Sequence, residues 1–81
     1  MNIKETFKNK KFFIVGVGGS GMSSIAKYLT ESGATVFGYD QRKSLVTNQL
    51  LKLGIRVTHD IDFEIEPDTR VITSSAINDE N

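Results

Sequence analysis

The sequence predicts an α/β fold built on an open parallel sheet. Short apolar runs alternate with helix-period stripes along the chain. Turn and cap residues stand at the joins between them. The first apolar run passes directly into Gly16–Val17–Gly18–Gly19–Ser20–Gly21, a G-x-G-x-x-G hexad that opens a helix. These features together predict a Rossmann-like sheet of strand order 3-2-1-4 with right-handed crossovers and helices on both faces.

Residues 1–10 are polar with a few apolar letters and read as a short arm or frayed turn, its lysines a solvated face. Residues 11–16 form the first strand. Residues 20–32 form the first helix, with Met22, Ile25, Ala26 and Leu29 at i, i+3, i+4 and i+7. Gly33 follows as its left-handed cap. The second strand covers residues 34–39 and ends at Asp40. After a loop through Gln41, Arg42 and Lys43, Ser44 caps a second helix carrying Val46, Leu50 and Leu53 on one face and stopping at Gly54. Residues 55–58 make a third strand, ending at His59. Residues 60–69 are acidic and contain the only proline, Pro67. This connection is short for a crossover and has room for one helical turn. A fourth strand over residues 70–73 precedes Ser74, Ser75 and Ala76.

Composition bounds the possible functions. Eighty-one residues make one small domain or part of a larger protein. A chain of this size buries roughly 60–65% of its unfolded surface, so modest stability is expected. Ten basic residues balance ten acidic ones, leaving no global field to attract nucleic acid. With no cysteine there is no disulfide, thiol nucleophile or zinc–sulfur site, which fits a cytosolic protein. One histidine rules out a multi-histidine metal site within these residues. The basic–apolar–small pattern from Lys10 onward mimics a signal peptide. Four glycines interrupt it, however, and strand–turn–helix accounts for the same letters. No apolar run reaches the ~20 residues of a membrane span.

The chemistry gathers at one edge. The glycine turn, Asp40, His59 and Ser74–Ser75 all fall at carboxyl ends of expected strands, where open parallel sheets bind ligands. Glycines let a pyrophosphate approach the backbone, and the first turn of a helix supplies unpaired N–H groups and a favourable dipole. No lysine or arginine lies between Phe12 and Ile25, so any phosphate there is held by backbone amides and by the Ser20, Ser23 or Ser24 hydroxyls. The alternative is a purely structural tight turn. Asp40, about twenty residues beyond the glycines, sits where dinucleotide folds place an acceptor for ribose hydroxyls; otherwise it is a solvated loop acid. Arg42 and Lys43 are within reach of a phosphate or simply solvated. His59, Ser74 and Ser75 are candidates by position alone. No Walker-type loop is present, and no carboxylate pair is placed with a base or nucleophile. On the residues alone, the domain binds a nucleotide, with NAD(P) the first candidate and a non-binding structural domain the remaining alternative.

The detailed letters point elsewhere. Residues 14–26, IVGVGGSGMSSIA, resemble the N-terminal signature of the Mur ligases, with the doubled Gly18–Gly19 and the Gly21–Met22–Ser23 that follows. The similarity continues through Phe37–Gly38–Tyr39–Asp40, Val46–Thr47, Leu53–Gly54, His59 and the run from Val71 to Ile77, covering nearly residues 11–80. The resemblance implies the UDP-sugar-binding N-terminal domain, over residues 1–81, of a three-domain cytoplasmic enzyme of peptidoglycan synthesis. That enzyme would join L-alanine to UDP-N-acetylmuramate, using ATP and Mg2+ through an acyl-phosphate. The doubled glycine favours the alanine-adding member over a peptide-adding sister.

By the same resemblance, Gly16, Gly18, Gly19, Ser20, Gly21, Met22 and Ser23 would hold the UDP diphosphate. Asp40, His59, Ser74, Ser75 and Ala76 would surround the uridine, with ribose and uracil contacts left open. No catalytic residue or metal ligand is assigned here. The ATP- and alanine-binding domains lie outside these residues, so the chain alone is expected to be inactive as a ligase. A fourth strand at an uncovered edge would invite pairing with a second copy.

Overall fold

The computed structural model describes residues 6–73. Its elements in order are β1 (Lys11–Val15), α1 (Ser20–Glu31), β2 (Thr35–Tyr39), α2 (Leu45–Lys52), β3 (Arg56–Thr58) and β4 (Thr69–Ile72). The strands pair in parallel in the order β3-β2-β1-β4, the expected 3-2-1-4 arrangement. β4 is the outer strand on its side among the described residues. None of the described helices is long and apolar enough to cross a membrane.

β1 is apolar without alternation because both of its faces are covered. Phe12 and Ile14 join Val17, Ala26, Leu29, Val36, Leu50 and Ile55 in one core between the sheet and the helices. Phe13 points to the opposite face and is also buried. α1 and α2 pack against each other, so both lie on the Phe12–Ile14 side.

The second face carries irregular chain where a helix was expected. Ten residues, 59–68, lead from the end of β3 to the start of β4 on the far side of the sheet. They must cross three strand spacings, about 14 Å, while returning along a strand length of about 13 Å. Ten helical residues span only about 15 Å, whereas ten extended residues reach about 33 Å. Extended chain is therefore the form that completes the crossing. Phe63 anchors it, stacking on Phe13 with ring centroids 4.5 Å apart and lying 5.3 Å from the Tyr39 ring. Lys11 Nζ donates to Glu66 Oε1 at 2.9 Å and fastens the far end. Through that hydrogen bond the ammonium holds the Glu66 carboxyl below its ordinary range.

Three local expectations shift. The arm is docked rather than frayed over residues 6–10. The Phe7 N–H donates to the Ser32 carbonyl at 2.8 Å, and the Phe7 ring meets Phe12 and Tyr28 edge-on. Along α1, Ser23, Ala26 and Leu29 face inward, Met22 is half-buried and Ile25 is 40% exposed. Ser23 tolerates burial because its hydroxyl donates to the Ser20 carbonyl at 3.0 Å. Along α2, Leu50 is buried as expected, but Thr47 takes an inward place while Leu53 is half-exposed. Thr47 can do so because it forms a reciprocal capping box with Ser44. Gly33 and Gly54 follow the two helices with φ of 98° and 91°, the conformation expected of them.

Two variants test this packing. Phe63→Ala removes both ring contacts on the second face and is expected to lower the unfolding free energy by about 2 kcal/mol, read from urea denaturation. Gly38 lies so close to Val17 that an added Cβ would stand 2.7–2.8 Å from that side chain. Gly38→Ala is expected to cost about 1–3 kcal/mol through overpacking, with part recovered when Val17 is also cut to alanine. An additive double variant would contradict the contact.

Candidate functional site

The site is assembled at the carboxyl ends of β1, β2 and β3. At the end of β1 the chain turns at Gly16, whose φ of 78° is readily adopted by a residue without a Cβ. The N–H groups of Gly16 and Val17 both donate to the Tyr39 carbonyl, at 2.7 and 3.1 Å. This ties the start of the glycine loop to the end of β2. Val17 is fully buried against Gly38. The Gly18 N–H donates to Asp40 Oδ2 at 2.8 Å, and the Gly19 N–H to the Gly16 carbonyl at 3.0 Å. α1 then begins.

Its first turn is open. Gly19 is the N-cap and brings no side chain to cap the helix, and no acidic residue stands in the first turn. The Ser23 N–H returns to the Gly19 carbonyl at 2.7 Å, but no hydrogen-bond acceptor among the described residues meets the amides of Ser20, Gly21 or Met22. Gly19, Ser20 and Gly21 are exposed, and a Cβ placed on Gly21 would meet nothing within 4 Å. Three unpaired donors thus stand at the positive end of a helix dipole, the chemistry that suits an anion.

Asp40 connects this loop to the rest of the edge. Its N–H donates to the Thr58 carbonyl at 3.1 Å, joining it to β3. Its Oδ1 accepts from the Arg42 N–H at 2.9 Å. His59 Nδ1 lies 2.8 Å from the Asp40 carbonyl. A carbonyl only accepts, so Nδ1 carries the proton in this contact. Beyond Asp40 a groove of about 980 Å³ opens, lined among others by Tyr39, Gln41, Lys43, Thr58, His59 and Asp60. That volume falls among those of small-molecule sites.

The structure thus brings together the glycine loop, Asp40 and His59. Lys43 lines the groove, while the Arg42 backbone N–H serves Asp40. Ser74, Ser75 and Ala76 lie outside the described residues. Sequence reading missed Tyr39, Gln41 and Thr58 as groove residues, although their place at strand ends was the available signal. It also missed Thr47, whose methyl would stand 3.1 Å from a Cβ on Gly18. The Ser44-x-x-Thr47 capping pattern was its trace in the sequence.

Residues 11–81 match the family described as Mur ligase family, catalytic domain. The chain is 46% identical over 74 residues to a UDP-N-acetylmuramate–L-alanine ligase of Leptothrix cholodnii, covering 89% of this chain and 16% of that protein. It is 41% identical over 75 residues to the protein of the same description from a Janthinobacterium species, covering 91% of this chain and 16% of that one. Against the Porphyromonas gingivalis protein so described, identity is 43% over 58 residues, covering 72% and 13%. The chain therefore spans only about one seventh of the length of these relatives. With a family match across nearly the whole chain, over a sheet and glycine loop of the expected form, this chain belongs to the Mur ligase family.

Proposed function

We propose that this chain holds the UDP moiety of UDP-N-acetylmuramate, as the N-terminal part of a cytoplasmic ligase that adds L-alanine to that nucleotide sugar. The observation that carries the reading is the open first turn of α1 beside the Asp40–His59 groove, in a chain of this family. The diphosphate lies against Gly16, Gly18, Gly19, Ser20, Gly21, Met22 and Ser23, received by backbone amides and the helix dipole. The uridine lies beside Asp40 and His59, and the family resemblance adds Ser74, Ser75 and Ala76 to its contacts. His59 Nε2 is the ring nitrogen left for the ligand, because Nδ1 is committed to the Asp40 carbonyl.

In the whole protein, ATP with Mg2+ would supply the phosphoryl group that activates the lactyl carboxylate, ADP leaving. The described residues do not fit either group. No cluster of three acidic or histidine side chains stands ready for a cation. The glycine loop also lacks the lysine that a Walker-type site places on the phosphates. What these residues do is bind and orient: they fix one end of the nucleotide so that the sugar and its lactyl carboxylate project away from the sheet edge.

A two-dimensional amide NMR titration with UDP-N-acetylmuramate, and separately with NAD, tests the reading. Shifts at residues 18–23, Asp40 and His59 with the UDP-sugar alone are the expected result. The same shifts with NAD alone would replace this reading with a generic dinucleotide site. Gly21→Val provides a second check. A Cβ at this position meets nothing within 4 Å and valine is a better helix former than glycine, so the variant is expected to fold. Its side chain stands where the diphosphate approaches, and affinity for the UDP-sugar is expected to fall about tenfold or more, at least 1.4 kcal/mol.

A further inference from the structure

We infer that Asp40 is a positioning residue: its carboxylate holds the glycine loop in its anion-binding form, rather than serving the nucleotide as an acceptor for ribose hydroxyls. The inference rests on the nucleotide-binding reading above.

Every polar group of Asp40 has a partner within the chain. The N–H goes to the Thr58 carbonyl and the carbonyl accepts from His59 Nδ1. Oδ2 accepts from the Gly18 N–H at 2.8 Å and Oδ1 from the Arg42 N–H at 2.9 Å. The two oxygens thus bridge the β1–α1 loop and the β2–α2 loop. Hydrogen bonds from backbone amides to a carboxylate are charge-assisted and stronger than neutral ones. Pinning the Gly18 amide fixes the Val17–Gly18 peptide plane, and so the course on which the loop enters α1 and presents the amides of Ser20, Gly21 and Met22.

Packing divides the glycines between two demands. A Cβ on Gly18 would lie 2.7 Å from Asp40 Oδ2, although the backbone there is not left-handed and would accept alanine. A side chain at Gly18 would have to displace the Asp40 carboxylate, and it would also meet the Thr47 methyl at 3.1 Å. A Cβ on Gly21 would meet nothing within 4 Å among the described residues, so no contact within them calls for a glycine there. Electrostatics agree with this division. A carboxylate next to an anion site repels the ligand, a cost without purpose unless it shapes the site. Among the described hydrogen bonds, no cationic side chain bonds Asp40; Arg42 contributes only its backbone N–H.

The experiment compares the chain with its Asp40→Asn and Asp40→Ala variants, using UDP and uridine as probes in amide NMR titrations. In the free chain, the Gly18 amide proton is expected downfield and should move upfield in Asp40→Asn. Affinity for UDP is expected to fall about tenfold, the scale of one lost hydrogen bond to a charged group, while that for uridine stays within about twofold. Equal losses for uridine and UDP would make Asp40 a ribose ligand and overturn the inference. Tighter UDP binding in Asp40→Asn would overturn it too, leaving the carboxylate as mere repulsion. If neither probe binds, the nucleotide reading fails, and stability still decides the role of Asp40. Gly18→Ala is expected to lower the urea midpoint in the wild-type background and to do so much less beside Asp40→Ala, where the clashing atom is gone. Additive effects of the two substitutions would show that no lock exists.

Discussion

The Tyr39 carbonyl accepts two amides from the chain leaving β1, those of Gly16 and Val17. That double bond to β2 is the constraint on which the functional edge depends. It forces the chain to dive inward at Val17, which is possible only because Gly38 offers no side chain to meet it. It then delivers Gly18 beside Asp40 and starts α1 pointing at the sheet edge. Without the clasp, a glycine-rich stretch would be an entropic liability. With it, the same stretch becomes a fixed turn.

The rest of the fold supplies rigidity to that edge from two unequal layers. On one side α1 and α2 bury a continuous apolar core against Phe12, Ile14 and Val36. On the other, a crossover too short to be helical lays a single aromatic, Phe63, over Phe13 and Tyr39. Tyr39 therefore takes part in both tasks. Its carbonyl holds the glycine loop, while its ring receives the crossover whose first residues, His59 and Asp60, form the groove wall. Packing on the far face is in this way coupled to the shape of the site.

In the proposed reading, the anion is recognised by backbone rather than by side-chain charge. The chain has no net charge, and the loop carries no lysine or arginine, so the attraction is local: unpaired amides and a helix dipole acting over the first turn. Local donors of fixed direction select geometry, which suits a diphosphate held at one end of a larger ligand. They also make loop position decisive, since a small displacement misaligns several donors together.

Much of this was legible in the sequence. The apolar run of β1, the glycine hexad, the caps at Gly33, Ser44 and Gly54 and the alternation of elements each reflect short-range stereochemistry, and they determined the fold class, the strand order and the place of the glycine turn at the sheet edge. Local pattern reaches only a few residues, and what it left open depends on distant ones. Gly18 and Asp40 lie 22 residues apart, and nothing in either neighbourhood encodes that a carboxylate would be spent on a backbone amide. His59 and Asp40 are separated by 19 residues, so the tautomer of the histidine is likewise a product of strand pairing. Phe7 and Phe63 belong to no periodic pattern in the sequence, and only the sheet gives each a face to cover. Which residues of the two helices face inward, with Ser23 and Thr47 buried and Ile25 40% exposed, was likewise settled only by how both helices pack on one side of the sheet. The sequence by itself determined which elements form and which helix start presents amide donors without a side-chain cap. Only the tertiary structure, by bringing distant strand ends within hydrogen-bond reach, decided what holds those donors in place.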